Sequence, residues 1–337
     1  MRIILDGMGG DNAPIEVVKG AVEASELINH EIIIVGIANK IEKELKKYKY
    51  DNKKILVVDA TEVINTEEPP VKAVRTKKDS SIVRGLNMVK NGEGDVFISA
   101  GSTGALLAGG LFILGRIQGI DRPAIATIYP IIGKEPALLV DAGANTDCKP
   151  NNLLEFATMG SIYMSKVIGR KNPTVGLVNN GTEEGKGNTL TKAVYELLDK
   201  SALNFVGNVE ARELPRGVCD IIVADGFTGN VILKLSEGFG LMMLREMKRR
   251  FTDGTKAKMG AALLKDKLKG IKEEFDYSEY GGAPILGVKG ALIKMHGSSD
   301  AKAVKNTIIK ALPYVEGGVV DTIQNSVLEI EEILLDE

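Results

Sequence analysis

The residues best suited to chemistry are small ones: Gly101, Ser102, Thr103 and Gly104 separate an apolar run from a helical pattern. Glycines let backbone N–H groups turn toward a ligand, and the N-terminus of a helix carries about half a positive charge. The two hydroxyls add donors, or one of them caps the helix. The stretch therefore favours an anion such as phosphate, with helix capping as the alternative interpretation. No Gly-Lys-Ser/Thr follows at the Walker A spacing.

Two further glycine-rich loops each contain one side chain suited to stabilise negative charge. Lys186 lies between Gly185 and Gly187 in NGTEEGKGN, and a lysine held in such a loop is better placed to face an anion than a solvated helical lysine. Asn230, in DGFTGN, offers an amide donor to a carbonyl oxygen that becomes negative, or it caps a helix. We predict that Lys186 and Asn230 are catalytic, and both interpretations of Asn230 remain open.

Three other polar residues lie in loops of the same kind: Asn145 in DAGAN, Asp225 in DGFTGN and His296 in KMHGSSD. We predict that they bind substrate together with residues 101–104, and a structural hydrogen bond is an equal alternative for His296. Covalent catalysis has little support, because the chain has no GxSxG motif and neither Cys148 nor Cys219 has a base near it in sequence. The two cysteines also provide no disulfide framework and no CxxC metal site.

The elements that position these loops follow from hydrophobic periodicity. Continuous β-branched runs predict strands that are buried on both faces, and amphipathic patterns predict helices between several of them. This alternation indicates a single α/β unit over residues 1–337, with a largely parallel sheet and helices on both faces. Polar loops then meet in one active-site cleft at the carboxyl edge of the strands. The strands are predicted at 2–5, 31–37, 54–60, 95–100, 124–129, 137–143, 174–179, 203–207 and 220–226, and the helices at 14–29, 80–91, 103–117, 151–169 and 189–200.

Residues 237–276 form a basic segment that differs from the rest of the chain. Between positions 245 and 272 there are ten basic residues and three acidic ones. Leu264, Leu268, Ile271 and Phe275 recur at helical spacing and predict an apolar stripe on one helix. A basic amphipathic helix binds a membrane surface or an acidic partner. A solvated helix that packs on the core is an equal alternative.

Composition and charge exclude several classes of protein. The 337 residues are 44% hydrophobic and 26% charged, and the net charge of -2 argues against a general nucleic-acid binder. The N-terminus reads as a strand rather than a secretory signal, and the most apolar stretch, 105–115, is shorter than the roughly 18 residues of a membrane span. With only two cysteines, these features predict a cytoplasmic protein.

Several longer motifs, in their order along the chain, resemble the PlsX family, the bacterial phosphate acyltransferases of phospholipid synthesis. The resemblance runs from residue 2 to about residue 310. It implies transfer of a fatty acyl group from acyl carrier protein to inorganic phosphate, which yields an acyl phosphate. It also implies an isopropylmalate-dehydrogenase-like α/β fold, a homodimer without a cofactor or metal, and loose association with the membrane. The motifs are DGMGGDNAP, SAGSTGALLAGG, RPAIATIYP, DAGAN, NGTEEGKG, FVGNVE, DGFTGNVILK and YGGAPILGVKG to HGSS.

An acyl phosphate with a long chain is amphipathic, so its release at an anionic membrane surface would suit a downstream membrane acyltransferase. The basic segment is the predicted element of attachment. Acidic acyl carrier protein is the competing partner for the same charges.

Related families offer alternative functions. ILDGMGGDNAP and HGSSD also resemble a metal- and nicotinamide-dependent decarboxylating dehydrogenase, but Thr-Gly-Asn at 228–230 replaces the aspartates that hold the metal there. The glycine fingerprint of dinucleotide binding is incomplete as well, because its third glycine is replaced by Asn12. GFTGNVILK also resembles phosphotransacetylase, which moves short acyl groups between coenzyme A and phosphate. A scaffold without activity would not need polar loops concentrated at one sheet edge.

Overall fold

The computed structural model describes residues 1–131, 133–274 and 281–326. Within these residues, eleven strands form one sheet in the order β3-β2-β1-β4-β11-β10-β5-β6-β9-β7-β8. The strands are β1 (Arg2–Asp6), β2 (Glu31–Gly36), β3 (Ile55–Asp59), β4 (Val96–Ser99), β5 (Ala124–Tyr129), β6 (Ala137–Val140), β7 (Thr174–Asn179), β8 (Asn204–Glu210), β9 (Ile221–Val223), β10 (Ala283–Leu286) and β11 (Ala291–Lys294).

Helices cover both faces of this sheet. The helices are α1 (Ile15–Ser25), α2 (Ala38–Leu45), α3 (Pro70–Thr76), α4 (Ser81–Lys90), α5 (Thr103–Gly109), α6 (Pro150–Tyr163), α7 (Thr189–Asp199), α8 (Gly226–Phe251), α9 (Gly254–Leu263), α10 (Lys265–Glu274) and α11 (Ala301–Glu316). α5 and α6 continue directly into π-helical turns, Gly110–Leu114 and Met164–Ile168, and Ala211–Arg216 is a 3-10 helix.

Two hydrophobic layers, one on each face, hold the helices to the sheet. Side chains alternate along each strand, so Ile3 and Leu5 of β1 join one layer and Ile4 joins the other. The first layer packs against α1, α2, α6, α7 and α11, and the second packs against α3, α4, α5 and the first half of α8. The predicted α/β architecture, with a largely parallel sheet and helices on both faces, is therefore confirmed.

The sheet consists of two parallel blocks that run in opposite directions. β3, β2, β1, β4 and β11 are mutually parallel, and so are β6, β9, β7 and β8. Between the blocks, β10 is antiparallel to both β11 and β5, and β5 is antiparallel to β6. β5 consequently has the direction of the first block. The carboxyl ends of the two blocks lie at opposite edges of the sheet, which the strand pattern alone did not predict.

The basic segment is helical but does not form the single helix that the stripe predicted. It comprises the second half of α8, then α9 and α10. Thr252 and Asp253 separate α8 from α9, whose first residue, Gly254, has a φ of +81°, and Leu264 separates α9 from α10. Leu264 therefore lies at a joint and cannot begin a continuous stripe, while Phe275 falls outside the described residues. No helix in the described part is both long and apolar enough to span a bilayer.

Candidate active site

A first group of polar loops meets at the carboxyl ends of β1, β4 and β11. The Ser99 hydroxyl donates to the Asp6 carboxylate at 2.6 Å and accepts the Gly101 N–H at 2.9 Å. The Asp11 N–H donates to the Gly297 carbonyl at 2.8 Å. The pKa of the fully buried Asp6 is raised by burial, and the hydrogen bond from Ser99 opposes that shift. These contacts join DGMGGD, SAGSTG and HGSS into one unit.

The predicted anion-binding residues lie at the start of α5. Ser102 is the N-cap, because its hydroxyl accepts the Ala105 N–H at 3.4 Å. The Thr103 hydroxyl has no hydrogen-bond partner in the described part of the chain, so it is available to a ligand. A Cβ on Gly104 would lie 2.5 Å from Pro70, which explains the glycine by close packing of α5 on α3. Capping thus accounts for one of the two hydroxyls.

His296 belongs to the same group but makes only local contacts. Its Nδ1 lies 2.8 Å from the Ser298 hydroxyl and accepts the Ser298 N–H at 3.2 Å. The Asn12 amide donates to the Ser298 and Ser299 carbonyls at 3.3 and 3.4 Å. The structural hydrogen bond that the sequence allowed is therefore present. The His296 ring is also exposed. Substrate binding by His296 stays a prediction.

A second group of loops lies at the opposite edge, after β6 and β9. The buried Asp141 carboxylate accepts the backbone N–H groups of Gly143 at 3.0 Å and of Asn145 at 2.7 Å. The Asn145 amide donates both to Asp141 at 2.9 Å and to the Pro123 carbonyl at 2.8 Å. Both amide hydrogens of Asn145 are therefore used inside the protein. The pKa of Asp141 is raised by burial, and these donors oppose the shift.

The start of α8 separates the roles of Asp225 and Asn230. Asp225 is the N-cap, and its carboxylate accepts the Thr228 N–H at 2.9 Å and the Thr228 hydroxyl at 2.7 Å. Asn230 is not a cap. Its amide nitrogen donates to the Ala142 carbonyl at 3.0 Å, which leaves the second hydrogen of that amide for a ligand. The interpretation of Asn230 as a helix cap is therefore wrong, because Asp225 is the cap. That the Asn230 amide donates to substrate stays a prediction.

Lys186 follows β7, which is the neighbour of β9, so its loop lies beside the start of α8. The side chain is exposed, and its ammonium has no partner among the residues that the structure describes. Asn179 donates to the Lys186 carbonyl at 3.1 Å, and the buried Asn208 donates to the Glu183 carbonyl at 2.9 Å. These two hydrogen bonds fix the backbone of the loop that contains Lys186. Sequence reasoning missed Asn208, although the motif FVGNVE contains it.

The six polar loops thus form two groups at opposite edges of the sheet rather than meeting at one carboxyl edge as predicted, and α8 connects the groups. This helix starts at the second edge and crosses the sheet face, where the Ser236 hydroxyl lies 2.9 Å from the Tyr129 hydroxyl at the end of β5. Asn230, Lys234 and Glu237 share one side of the helix, which we call the α8 flank. At 1.5 Å per residue the flank spans about 10 Å. It leads from the second group toward the carboxyl end of β11.

The thiols near this region are poor nucleophiles. Burial raises the pKa of Cys148 to about 11 and that of the more buried Cys219 to about 12, so both are protonated at neutral pH. Across the described ranges, no three His, Cys, Asp or Glu side chains are grouped so as to hold a metal ion. The groups available for chemistry are amide donors, hydroxyls and lysine ammonium groups.

Comparisons with known proteins identify a family for this chain. A family model described as "Fatty acid synthesis protein" matches residues 1–322. A phosphate acyltransferase from Alkaliphilus oremlandii is 54% identical, over 97% of this chain and 97% of its own. A phosphate acyltransferase from Clostridioides difficile is 52% identical, over 98% of each chain.

Among solved structures, the fold is similar to that of a phosphotransacetylase from Streptococcus pyogenes, with a TM-score of 0.63, 18% identity and 94% of each chain covered. A 4-hydroxythreonine-4-phosphate dehydrogenase from Klebsiella pneumoniae gives a TM-score of 0.54 at 11% identity, over 94% of this chain and 99% of its own. At these identities the likeness concerns the fold alone. Acyl-transfer proteins and a dehydrogenase thus share this architecture.

Proposed function

This chain belongs to the phosphate acyltransferase family, and we propose that it transfers a long-chain fatty acyl group from acyl carrier protein to inorganic phosphate. Hydrogen phosphate attacks the thioester carbonyl carbon, a C–O bond forms and the C–S bond breaks. The products are an acyl phosphate and the carrier thiol, which takes the phosphate proton. Phosphate is a nucleophile at neutral pH, so the enzyme must chiefly position two reactants and stabilise the oxyanion.

The observation that carries this mechanism is the set of unpaired donors beside the start of α8. Among the described residues, the Lys186 ammonium, on the loop after β7, and one amide hydrogen of Asn230, in α8 after the neighbouring β9, have no partner. Either donor suits a carbonyl oxygen that gains negative charge. Direct attack is favoured over an acyl-enzyme, because both thiols are protonated and the fully buried Ser99 is bonded to Asp6.

The experiment is a comparison of acyl donors. The protein is incubated with phosphate and either palmitoyl acyl carrier protein, palmitoyl coenzyme A or acetyl coenzyme A, and acyl phosphate is measured by mass spectrometry with thiol release. We expect phosphate-dependent turnover at least tenfold faster with the carrier thioester than with acetyl coenzyme A. Faster turnover with acetyl coenzyme A would establish the phosphotransacetylase alternative instead.

Membrane association is part of the proposal, and the helices α9 and α10 support it. No residue of α9 is buried, and three large apolar side chains are exposed: Met259 within α9, Leu263 at its end and Leu264 at the joint with α10. Lys258 and Lys265 flank them. Apolar side chains next to cations suit the boundary between headgroups and acyl chains of an anionic membrane. An amphipathic acyl phosphate would then be released where a membrane acyltransferase can take it.

A homodimer is also part of the proposal, and the outer face of α8 supports it. Phe227, Val231, Leu235, Phe239 and Met242 are between 51% and 70% exposed and recur at intervals of three or four residues. They form a continuous apolar stripe on the side of α8 that faces away from the sheet. A second copy of the same helix is its occupant, since a two-fold axis brings identical stripes together.

A further inference from the structure

Lys294, the last residue of β11, is a partly buried lysine that the mechanism above does not use. It pairs in register with Ser99 of β4, so its side chain leaves the sheet on the face that carries α5 and α8. Its ammonium donates to the Met295 carbonyl at 2.8 Å. An ammonium has three donors, and this is its one hydrogen bond to any described residue. No carboxylate of the described part forms an ion pair with it.

A second lysine approaches from the α8 flank. Lys234 is exposed and forms neither a hydrogen bond nor an ion pair with the part of the chain that the structure describes. Burial lowers the pKa of Lys294, the positive charge of Lys234 lowers it further, and Glu237 acts in the opposite direction. The Ser236 hydroxyl of α8 lies 2.9 Å from the Tyr129 hydroxyl at the carboxyl end of β5, two strands from β11, so α8 brings Lys234 to the edge at which β11 ends. Two ammonium groups that approach each other there repel each other. A doubly charged anion between them would supply the negative charge that offsets this repulsion and the hydrogen-bond acceptors for the spare donors.

The position of this pair relates it to both groups of loops. Lys234 lies one helical turn, about 6 Å of rise, beyond Asn230 on the α8 flank. Lys294 lies next to Ser99, which anchors the Gly101 turn at the start of α5. An anion held between the two lysines would therefore lie between the proposed oxyanion donors and the hydroxyl of Thr103.

We propose that Lys294 and Lys234 form a dibasic subsite for a phosphate group of the reactants. This inference rests on the proposed function and deepens it, because it assigns the phosphate to residues outside the glycine-rich loops. Two sources offer a phosphate group: inorganic phosphate, which is a dianion, and the pantetheine arm of the acyl donor, whose phosphodiester carries one negative charge. We expect a small dianion to fit best, since the two lysines come from different elements, one from β11 and one from α8.

The test is direct binding to the full-length protein without an acyl donor. Inorganic phosphate and, separately, 4′-phosphopantetheine are titrated by calorimetry into wild type, Lys294→Met and Lys234→Met. Lys289→Met is the matched control, because Lys289 is an exposed lysine between β10 and β11. We expect at least a tenfold loss of inorganic phosphate affinity in both variants and none in the control. Thermal unfolding checks Lys294→Met, and Lys234→Met changes only an exposed side chain.

The outcomes separate this inference from the proposed function. Loss of inorganic phosphate binding identifies that substrate as the occupant, and loss confined to 4′-phosphopantetheine identifies the donor arm. Unchanged affinity for both probes in Lys234→Met and in folded Lys294→Met overturns the subsite, even if the wild type turns over normally. Weakened phosphate binding in the variants of a protein that shows no turnover would overturn the proposed function and leave the subsite in place.

Discussion

Leu263, at the end of α9, allows the sharpest test of membrane attachment, because it is 88% exposed. Full burial of a leucine side chain is worth about 2 kcal/mol, and the exposed fraction leaves almost all of that available to lipid. Leu263→Glu should therefore weaken binding to anionic vesicles by about 2 kcal/mol, or roughly 30-fold. Repulsion between the new carboxylate and the lipid adds to this loss. Stability should change by less than about 0.5 kcal/mol, because so exposed a side chain packs against little.

Sedimentation with phosphatidylglycerol vesicles measures the effect, and phosphatidylcholine vesicles show how much depends on lipid charge. Leu27→Glu is the matched control, since Leu27 is 66% exposed and lies just after α1, outside the basic segment. We expect only Leu263→Glu to lose vesicle binding, with turnover on soluble carrier thioester retained. Normal vesicle binding with lost turnover would refute the reasoning, because the segment would then dock the carrier protein rather than the membrane.

The remaining predictions concern the site and the assembly. Lys186→Ala and Asn230→Ala should each lower kcat by about 10²–10³-fold. Asn230→Ala should also lower the free energy of unfolding in urea by about 1 kcal/mol, because a hydrogen bond is lost. Near-normal turnover in both variants would remove the catalytic assignment. Ser102→Ala should lower the free energy of unfolding by about 1 kcal/mol, because the helix cap is lost. Thr103→Ala should raise the KM for phosphate more than the KM for the acyl donor. An equal rise in both KM values would reduce Thr103 to a structural role. Leu235→Glu should convert a dimer to monomers in analytical ultracentrifugation, and an unchanged sedimentation coefficient would place the interface elsewhere.

Much of the fold could be predicted because its signal is local. Nine apolar runs correspond to β1 through β9, because strands inside a sheet covered on both faces require continuous β-branched sequence. The prediction of burial on both faces is wrong for the edge strands β3 and β8, where Leu56 and Val206 are exposed. The β10–β11 hairpin was missed. Pro284 argues against a strand inside a sheet, because proline lacks an N–H donor. Lys294 was missed with it, because the recognisable motif HGSS begins only after this strand.

The candidate site was predictable in its residue types but not in its pairings. Glycine, serine and asparagine after strands indicate ligand loops, and the structure places these residues at strand ends. Which donors remain free depends on partners that are distant in sequence. The Asn145 amide donates to the carbonyl of Pro123, 22 residues away, and the Asn230 amide donates to the carbonyl of Ala142, 88 residues away. No local pattern distinguishes these two asparagines.

Strand direction is the other property that local sequence does not contain, and it explains why α8 matters. Because the two parallel blocks run in opposite directions, the loops at their carboxyl ends are separated by the length of the strands. A helix of 26 residues is about 39 Å long, enough to cross a strand of six residues, about 20 Å, and to continue beyond it. α8 therefore presents one polar flank to both loop groups and an exposed apolar stripe on its outer face, and its far end leads to α9 and α10. Under the proposed function, a single helix relates the reacting groups, the dimer and the membrane.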